Sequence, residues 1–257
     1  MKVGIEMNID EVVGKLNDVA RRQVPFAAAM ALNETAKKIN AAEIAEMRDV
    51  FSNPTPYTLR GTFYTRANKN KLEVIIGLKD FSAKAIPAAK FLAPQVEGGS
   101  RRLKRFEVAL RAAGVLPSGY FAVPGEGAKR DAWGNMNRGQ LVQVLSYFKS
   151  FPETGYKANM IDKRKASLAR GGRKNRGFSY FVVRPGDQAN RRAGLPPGVW
   201  QRVRFGIGTA LKPILIFVTR AHYDAIFDFE YVAELTAKQQ LSPQFSRAFA
   251  AAMRTAR

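Results

Sequence analysis

Residues 25–51, PFAAAMALNETAKKINAAEIAEMRDVF, make up the longest helical pattern in the chain. Proline is tolerated at the first position of a helix because its missing N–H would have no partner within the helix. The pattern therefore predicts a helix from Pro25 to about Phe51, with many alanines that let a neighbouring element approach closely. Asn53 followed by Pro54 ends it, because a residue before proline avoids the helical region.

Shorter patterns surround this helix in the first half of the chain. Asn8 or Asp10 can cap a first helix, whose apolar residues recur at three-to-four spacing. Residues 63–67 and 72–78 predict a β-hairpin around the turn 68–71. The same reading predicts an extended segment at 90–96 and a helix over 103–113 that Gly114 ends.

The second half mixes irregular and regular patterns. Residues 116–138 are rich in Pro, Gly and aromatic residues and predict an ordered irregular segment. Beyond them we predict a helix at 140–148, strands at 180–184, 199–205 and 213–219 that return to the main sheet, and two C-terminal helices at 229–240 and 243–256 separated by Ser242 and Pro243.

This element order predicts an α+β fold. We expect a mixed or antiparallel sheet packed with the long N-terminal helix and the C-terminal helices. We also expect a single domain over 1–257, with a long irregular basic excursion inserted at about 97–176.

The charge is the most pronounced global property. The chain has 42 Lys and Arg against 21 Asp and Glu, a net charge of +21. Such an excess attracts polyanions without determining a fold. The predicted partner is therefore acidic, either nucleic acid or an acidic protein surface.

Composition also excludes several kinds of chemistry. The chain has no cysteine, which excludes disulfides and thiolate chemistry, and its single histidine, His222, excludes metal sites that need two imidazoles. His222 with Asp224, Asp228 and Glu230 could resemble a metal cluster, but the aromatic residues between them indicate packing. We expect no metal, no cofactor and no catalytic residues, and hence a protein that is not an enzyme.

The chain gives no sign of a membrane or export signal. Its longest apolar runs fall far short of the roughly 20 residues that cross a bilayer. The N-terminal MKVGIEMNIDEVV carries acids where a signal peptide needs an apolar core. We expect no membrane association and no export.

Residues 97–107, EGGSRRLKRFE, place two glycines before four cations. They lack the lysine and hydroxyl pattern of a phosphate-binding loop. Two alternatives remain for this predicted helix start: contact with a phosphate backbone, or a solvated helix face or intersubunit ion-pair surface. The residues concerned are Arg101, Arg102, Lys104 and Arg105.

Residues 163–176, KRKASLARGGRKNR, contain no acid and little apolar content. Repulsion between like charges predicts a flexible, exposed arm that becomes ordered against an acidic partner. Its candidate contacts with DNA or an acidic partner are Lys163, Arg164, Lys165, Arg170, Arg173, Lys174 and Arg176.

Five stretches together carry a resemblance to a known family. They are PFAAAMALNETAKKI (25–39), NPTPYTLRGTFYTRA (53–67), KFLAPQVEGGSRRLKRFEVALR (90–111), VPGEGAKRDAWGNMNRGQLVQVLS (123–146) and LPPGVWQR (195–202). In this order, over almost the whole chain, they resemble the phage minor tail protein Z family of tail-completion proteins.

The resemblance implies a structural virion protein of the phage tail or head–tail junction, made in the bacterial host cytoplasm. It implies a ring of identical subunits around the DNA passage, with six-fold symmetry as a candidate arrangement. Other tail and neck proteins (tail tube, terminator, connector) and packaged DNA are the implied partners. A basic nucleic-acid-binding protein that contacts the phosphate backbone is the alternative function.

A ring needs two different patches on each subunit. We predict that the excursion supplies one of them, since glycines allow a tight turn and aromatic residues anchor interface cores. The candidate interface residues are Gly98, Gly99, Tyr120, Phe121 and Trp133.

Overall fold

The computed structural model describes residues 1–7, 9, 18–152, 157–173, 175–206 and 208–255, without the side chains of 18–21, 190 and 191. Helices and antiparallel sheets confirm the α+β class. The predicted first helix, with its caps Asn8 and Asp10, lies mainly outside the described residues, as does Lys174.

The elements follow one another in this order: β1 (Lys2–Glu6), α1 (Asp18–Val50), α2 (Pro56–Leu59), β2 (Thr62–Tyr64), β3 (Glu73–Leu78), α3 (Ala88–Val96), β4 (Gly99–Ser100), α4 (Arg105–Ala112), β5 (Phe121–Pro124), α5 (Arg138–Tyr147), α6 (Asp162–Arg170), β6 (Phe178–Val183), α7 (Gln188–Arg192), β7 (Gly198–Phe205), β8 (Gly208–Val218), β9 (His222–Tyr223) and α8 (Phe229–Thr255).

The chain forms two compact units. The first unit comprises Met1–Gly99 and Tyr223–Arg257, and the second unit comprises Ser100–His222. The predicted excursion at 97–176 covers the first part of the second unit, which continues to His222. Compactness alone does not distinguish a large insertion from a separate domain, so the single domain stays a prediction.

A three-stranded antiparallel sheet organises the first unit, in the order β1-β3-β2. Phe63 lies opposite Gly77 in the β2–β3 pair, which confirms the predicted hairpin. Alternate residues of β3, such as Val74 and Ile76, are fully buried and pack in one core with Leu32 and Ile39 of α1. The sheet therefore rests on the long helix that the sequence predicted.

Helices α1 and α8 pack against each other along their length. Ala27 and Ala31 meet Ala248 and Ala252 in a small cluster, so the alanines do allow the close approach that we expected. Two predictions about prolines were wrong. Pro25 lies inside α1, not at its start, and Pro243 lies inside one continuous α8 that does not divide into two helices. Proline inside a helix costs about 3 kcal/mol, and packing of the two helices offsets that cost here.

Helix α3 corrects a further prediction. Residues 90–96 were predicted as extended, but they belong to a helix with Pro94 inside it. Ala88 and Leu92, four residues apart, are buried in the first core. This i, i+4 pair forms a helical face that the short apolar run did not reveal.

A four-stranded antiparallel sheet organises the second unit, in the order β5-β8-β7-β6. The predicted strands near 180, 199 and 213 and the helices near 103 and 140 are confirmed. The prediction that these strands return to the first sheet was wrong, because they form a separate sheet. The fourth strand of this sheet, β5, lies within the segment predicted to be irregular. The core between this sheet and the helices α4 and α5 contains Leu110, Val144, Ile214 and Leu215.

Strands β4 and β9 pair in a two-stranded sheet. In the part of the chain that the structure describes, every helix is too short or too polar to cross a bilayer.

Candidate functional site

Positive charge is concentrated in the second unit. Residues 100–222 contain 24 Lys and Arg against 6 Asp and Glu, whereas the rest of the chain contains 18 against 15. The second unit therefore carries +18 of the net charge of +21. A field of this strength attracts a polyanion to one unit and leaves the other nearly balanced.

The excess is strongest in the second half of this unit. Between residues 163 and 223 the sequence has 14 Lys and Arg and one acid, Asp187. Of these 14 basic residues, four lie on α6, two on β7 and one on β8 of the second unit.

One of the predicted contact residues is used inside the fold. Nη1 of Arg101 lies 2.6 Å from Oε2 of Glu107, and its Nη2 lies 2.6 Å from Oε1. Both side chains are buried. The backbone N–H groups of Lys104 and Ala122 also donate to this carboxylate, at 2.6 and 2.7 Å. Glu107 therefore fastens the start of α4 to β5.

The surroundings of Glu107 favour its ionised form. Burial works against ionisation, but the hydrogen bonds from Arg101, Lys104 and Ala122 outweigh it and hold the pKa of Glu107 below its ordinary value. A guanidinium committed to a buried carboxylate is not displayed to a partner. The prediction that Arg101 contacts DNA or an acidic protein is therefore wrong for this conformation.

The other three cations of this cluster remain on the surface. Arg102, Lys104 and Arg105 are exposed around the start of α4. The backbone of two of them contributes to the fold: the N–H of Lys104 donates to Glu107, and the carbonyl of Arg102 accepts from Arg101 at 3.1 Å. Their side chains remain candidates for contact with a polyanion.

The predicted basic arm is more ordered than we expected. Its first part is α6, which packs against β6. Lys165 is half-buried, with its Nζ 5.0 Å from the centre of the Tyr147 ring and 3.8 Å from Oδ1 of Asp162. Lys163, Arg164 and Arg170 are exposed. The prediction of a flexible arm is thus wrong for 163–170, because helical turns separate the charges and one side packs against β6.

A tight turn follows α6, and we call its described residues, 170–173 and 175–177, the basic turn. Gly171 and Arg176 form an antiparallel bridge, and the N–H groups of Gly172 and Asn175 each donate to the other residue's carbonyl, at 2.9 and 3.3 Å. Gly171 has a φ of 75°, and a Cβ on it would lie 2.3 Å from the nitrogen of Gly177. Only glycine fits this close backbone crossing.

The basic turn is attached to the end of the β7–β8 hairpin. The N–H of Arg204 donates to the carbonyl of Gly177 at 2.9 Å, and the guanidinium of Arg176 lies 4.5 Å from the centre of the Phe205 ring. Arg202 lies over Phe181 at 5.1 Å. The side chains of Arg173, Arg176, Arg202 and Arg204 are exposed.

Sequence reasoning missed Arg202, Arg204 and Phe205. The signal was present in the alternation RVRF at 202–205, which places both arginines on one side of a strand. The charge run at 163–176 predicted a site on one continuous segment. Strand pairing instead brings Arg202 and Arg204 next to that segment from β7.

The predicted interface residues fall in different surroundings. Tyr120 and Phe121 are half-buried, and the guanidinium of Arg101 lies 5.1 Å from the Phe121 ring. Trp133 is 42 % exposed, in a turn where its backbone N–H donates to Oδ1 of Asp131. Gly98 and Gly99, in the first unit, have φ values of 71° and 93°, as tight turns require. The interface role of all five stays a prediction.

A small polar pocket of about 290 Å³ lies between α5 and the second sheet. Its lining residues satisfy one another: the hydroxyl of Tyr180 donates to Gln143 at 2.9 Å, and the N–H of Lys129 donates to Gln140 at 2.7 Å. Burial raises the pKa of Tyr180 to about 12, so its hydroxyl keeps its proton. Among the described residues, no three His, Asp or Glu side chains converge to hold a metal ion.

No protein-family model, curated protein or solved structure matches the chain. The features that bear on function are the charge distribution and geometry of the second unit and the resemblance of the five sequence stretches.

Proposed function

We propose that the protein is a structural assembly protein of a phage tail or head–tail junction, and that its basic second unit faces DNA. The observation that supports this most strongly is the separation of charge, +18 of +21 in residues 100–222. A protein that packs against its own copies and against DNA needs a surface of nearly balanced charge for the copies and a basic surface for the DNA.

The first unit suits contacts with neighbouring copies. Its 18 basic and 15 acidic residues nearly balance, so identical copies can approach without strong mutual repulsion. Contacts between two different patches close into a ring when the rotation between copies allows it. A ring needs a second, different patch, which we place on the second unit, where Trp133 offers an exposed aromatic anchor of the kind that interface cores favour.

Native mass spectrometry of the purified chain, with and without duplex DNA, tests the proposal. We expect a closed oligomer of one defined size, formed or stabilised in the presence of DNA. A chain that remains monomeric at every concentration and with every tail or neck protein supplied would contradict the assembly role.

A dedicated nucleic-acid-binding protein is the second candidate, and the charge of the second unit favours it as well. The two functions differ in salt dependence and stoichiometry. A dedicated binder keeps measurable affinity for DNA near physiological salt as a monomer or dimer. An assembly protein binds DNA weakly as a single subunit and gains affinity when many copies act together.

A further inference from the structure

From the geometry of the second unit we infer that the basic turn together with Arg202 and Arg204 forms one preformed surface for the phosphate backbone of duplex DNA. This inference deepens the proposed function, because it names the ligand and the residues that meet it. We call this group of residues the basic surface.

Two independent contacts show that the basic surface is built as a unit. The hydrogen bond from Arg204 to Gly177 joins the basic turn to β7. The Arg176 guanidinium over the Phe205 ring joins it to the end of the same strand. Arg202 and Arg204 are two residues apart on β7 and so project to the same side, about 7 Å from each other.

The turn itself is held without help from a ligand. Its bridge between Gly171 and Arg176 and the two hydrogen bonds between Gly172 and Asn175 close it at the base. Arg173 is exposed at its tip. A surface that is already ordered loses less conformational entropy on binding than a flexible arm would.

The aromatic residues indicate contact with a backbone in preference to stacking with bases. One face of the Phe205 ring is covered by Arg176, and one face of the Phe181 ring by Arg202. Proteins that bind single strands use open aromatic faces on which bases stack. Here each ring holds one guanidinium group in place, and each guanidinium can donate two hydrogen bonds to the oxygens of one phosphate.

The charge pattern favours nucleic acid over an acidic protein. The core of a protein interface is apolar and is depleted of charged residues as a class. The stretch from 163 to 223 instead has 14 basic residues and one acid. Duplex DNA presents one negative charge about every 1.7 Å along its axis, which is the kind of ligand that suits such a continuous excess.

The test is the salt dependence of binding to a fluorescein-labelled DNA duplex of mixed sequence, measured by anisotropy with the full chain. The test variant combines Arg173→Gln, Arg202→Gln and Arg204→Gln. The control combines Arg48→Gln, Arg66→Gln and Lys84→Gln, three exposed residues of the first unit with the same total change in charge. Circular dichroism and thermal unfolding of both variants show whether they remain folded.

Each lost phosphate contact reduces the slope of log affinity against log salt by about 0.9. For the test variant we therefore expect a slope smaller by about 2.7. Its loss of affinity between about 50 and 200 mM salt should be about 40-fold smaller than that of the parent. The control should keep the parent's slope.

Three results would overturn the inference. Equal changes in the test and control variants would mean that the total charge, and not this surface, determines binding. An unchanged slope in a folded test variant, with DNA binding by the parent intact, would remove the basic surface while leaving the proposed function standing. Loss of binding to polyglutamate in the test variant, with DNA binding unchanged, would assign the surface to an acidic protein.

Discussion

Arg101 and Glu107 form a buried, parallel pair in which two N–O distances are 2.6 Å, and the same carboxylate accepts two backbone N–H groups. The pair joins the residues before α4 to β5. Arg101, which was predicted as a surface contact, therefore stabilises the second unit. The exposed cations next to it are free for a different role.

Replacing either partner of this pair should strongly destabilise the second unit. Arg101→Ala leaves a buried carboxylate without its counter-charge, for which we expect a loss of about 3–5 kcal/mol in the free energy of unfolding. The control is Arg102→Ala, an exposed neighbour, which should change it by no more than about 0.5 kcal/mol. Urea unfolding measures both, and similar small effects in the two variants would show that the pair contributes little.

The same carboxylate should make the second unit sensitive to acid. The pKa of Glu107 lies below the ordinary value of 4.5 in the folded state, so its contribution to stability is present above pH 4.5 and is lost as the pH falls through the lower folded value. The difference in stability between the parent and Glu107→Gln should therefore shrink as the pH is lowered from neutral to about 3. A constant difference would mean that the pair's charge plays no part.

Glu43 should have the opposite effect in the first unit. It is fully buried in α1, and neither carboxylate oxygen has a hydrogen-bond partner among the described residues. Burial, together with the charges of Glu46 and Asp228, raises the pKa of Glu43 to about 9. The folded chain thus holds a proton that the unfolded chain releases above about pH 4.5, and stability falls as the pH rises towards 9.

Glu43→Gln should abolish this loss, because the amide has no proton to give up. Relative to the parent, we expect the variant to gain up to about 4 kcal/mol between pH 5 and pH 8, since one pKa unit corresponds to about 1.4 kcal/mol. Thermal or urea unfolding at the two pH values measures the gain. Asp49→Asn, at an exposed residue of the same helix, is the matched control, and an equal gain in both variants would show that burial of Glu43 is not the cause.

Gly171→Ala should disturb the basic turn, whereas Gly172→Ala should not. A Cβ at Gly171 would lie 2.3 Å from the Gly177 nitrogen, whereas one at Gly172 meets nothing within 4 Å. We expect a local cost of about 1–3 kcal/mol for the first substitution, visible as faster hydrogen exchange of the amide groups of Gly172 and Asn175. Equal exchange in the two variants would mean that the crossing at Gly171 does not hold the turn.

Trp133→Ala should weaken assembly without unfolding the chain. Removal of an aromatic anchor at an interface costs about 2 kcal/mol or more, which corresponds to a roughly 30-fold larger dissociation constant. Val142→Ala, at a residue of the same unit that is 43 % exposed against 42 % for Trp133, is the control. Analytical ultracentrifugation compares the two, and an unchanged oligomer in the Trp133 variant would exclude this residue from the interface.

Local patterns predicted much of the fold. The long helix, the β2–β3 hairpin and three of the four strands of the second sheet were predictable, because their residue spacing and local propensities agree with the structure that they form. The predictions that Pro25 and Pro243 each begin a helix were wrong, because packing of the surrounding helix offset a local penalty. That kind of compensation depends on distant residues and is not visible in a short window.

The candidate site was predictable only in part. The charge run at 163–176 identified Arg173 and Arg176, but Arg202 and Arg204 join them through strand pairing between distant segments. Conversely, no local pattern distinguishes Arg101 from its exposed neighbours. The fold shows that Arg101 forms a buried ion pair with Glu107. A spacing of three between Lys104 and Glu107, with the glutamate in the first turn of α4, was the one local sign that this acid belongs to the helix start.

The most direct test of the central claim is a side-chain-resolution reconstruction of tail or neck particles that contain this protein. We expect a closed ring of identical copies in which residues 100–222 lie nearest the DNA and Arg202 and Arg204 are directed at it. A ring in which residues 100–222 point away from the DNA, or particles in which the chain occurs as single unassembled copies, would contradict the account.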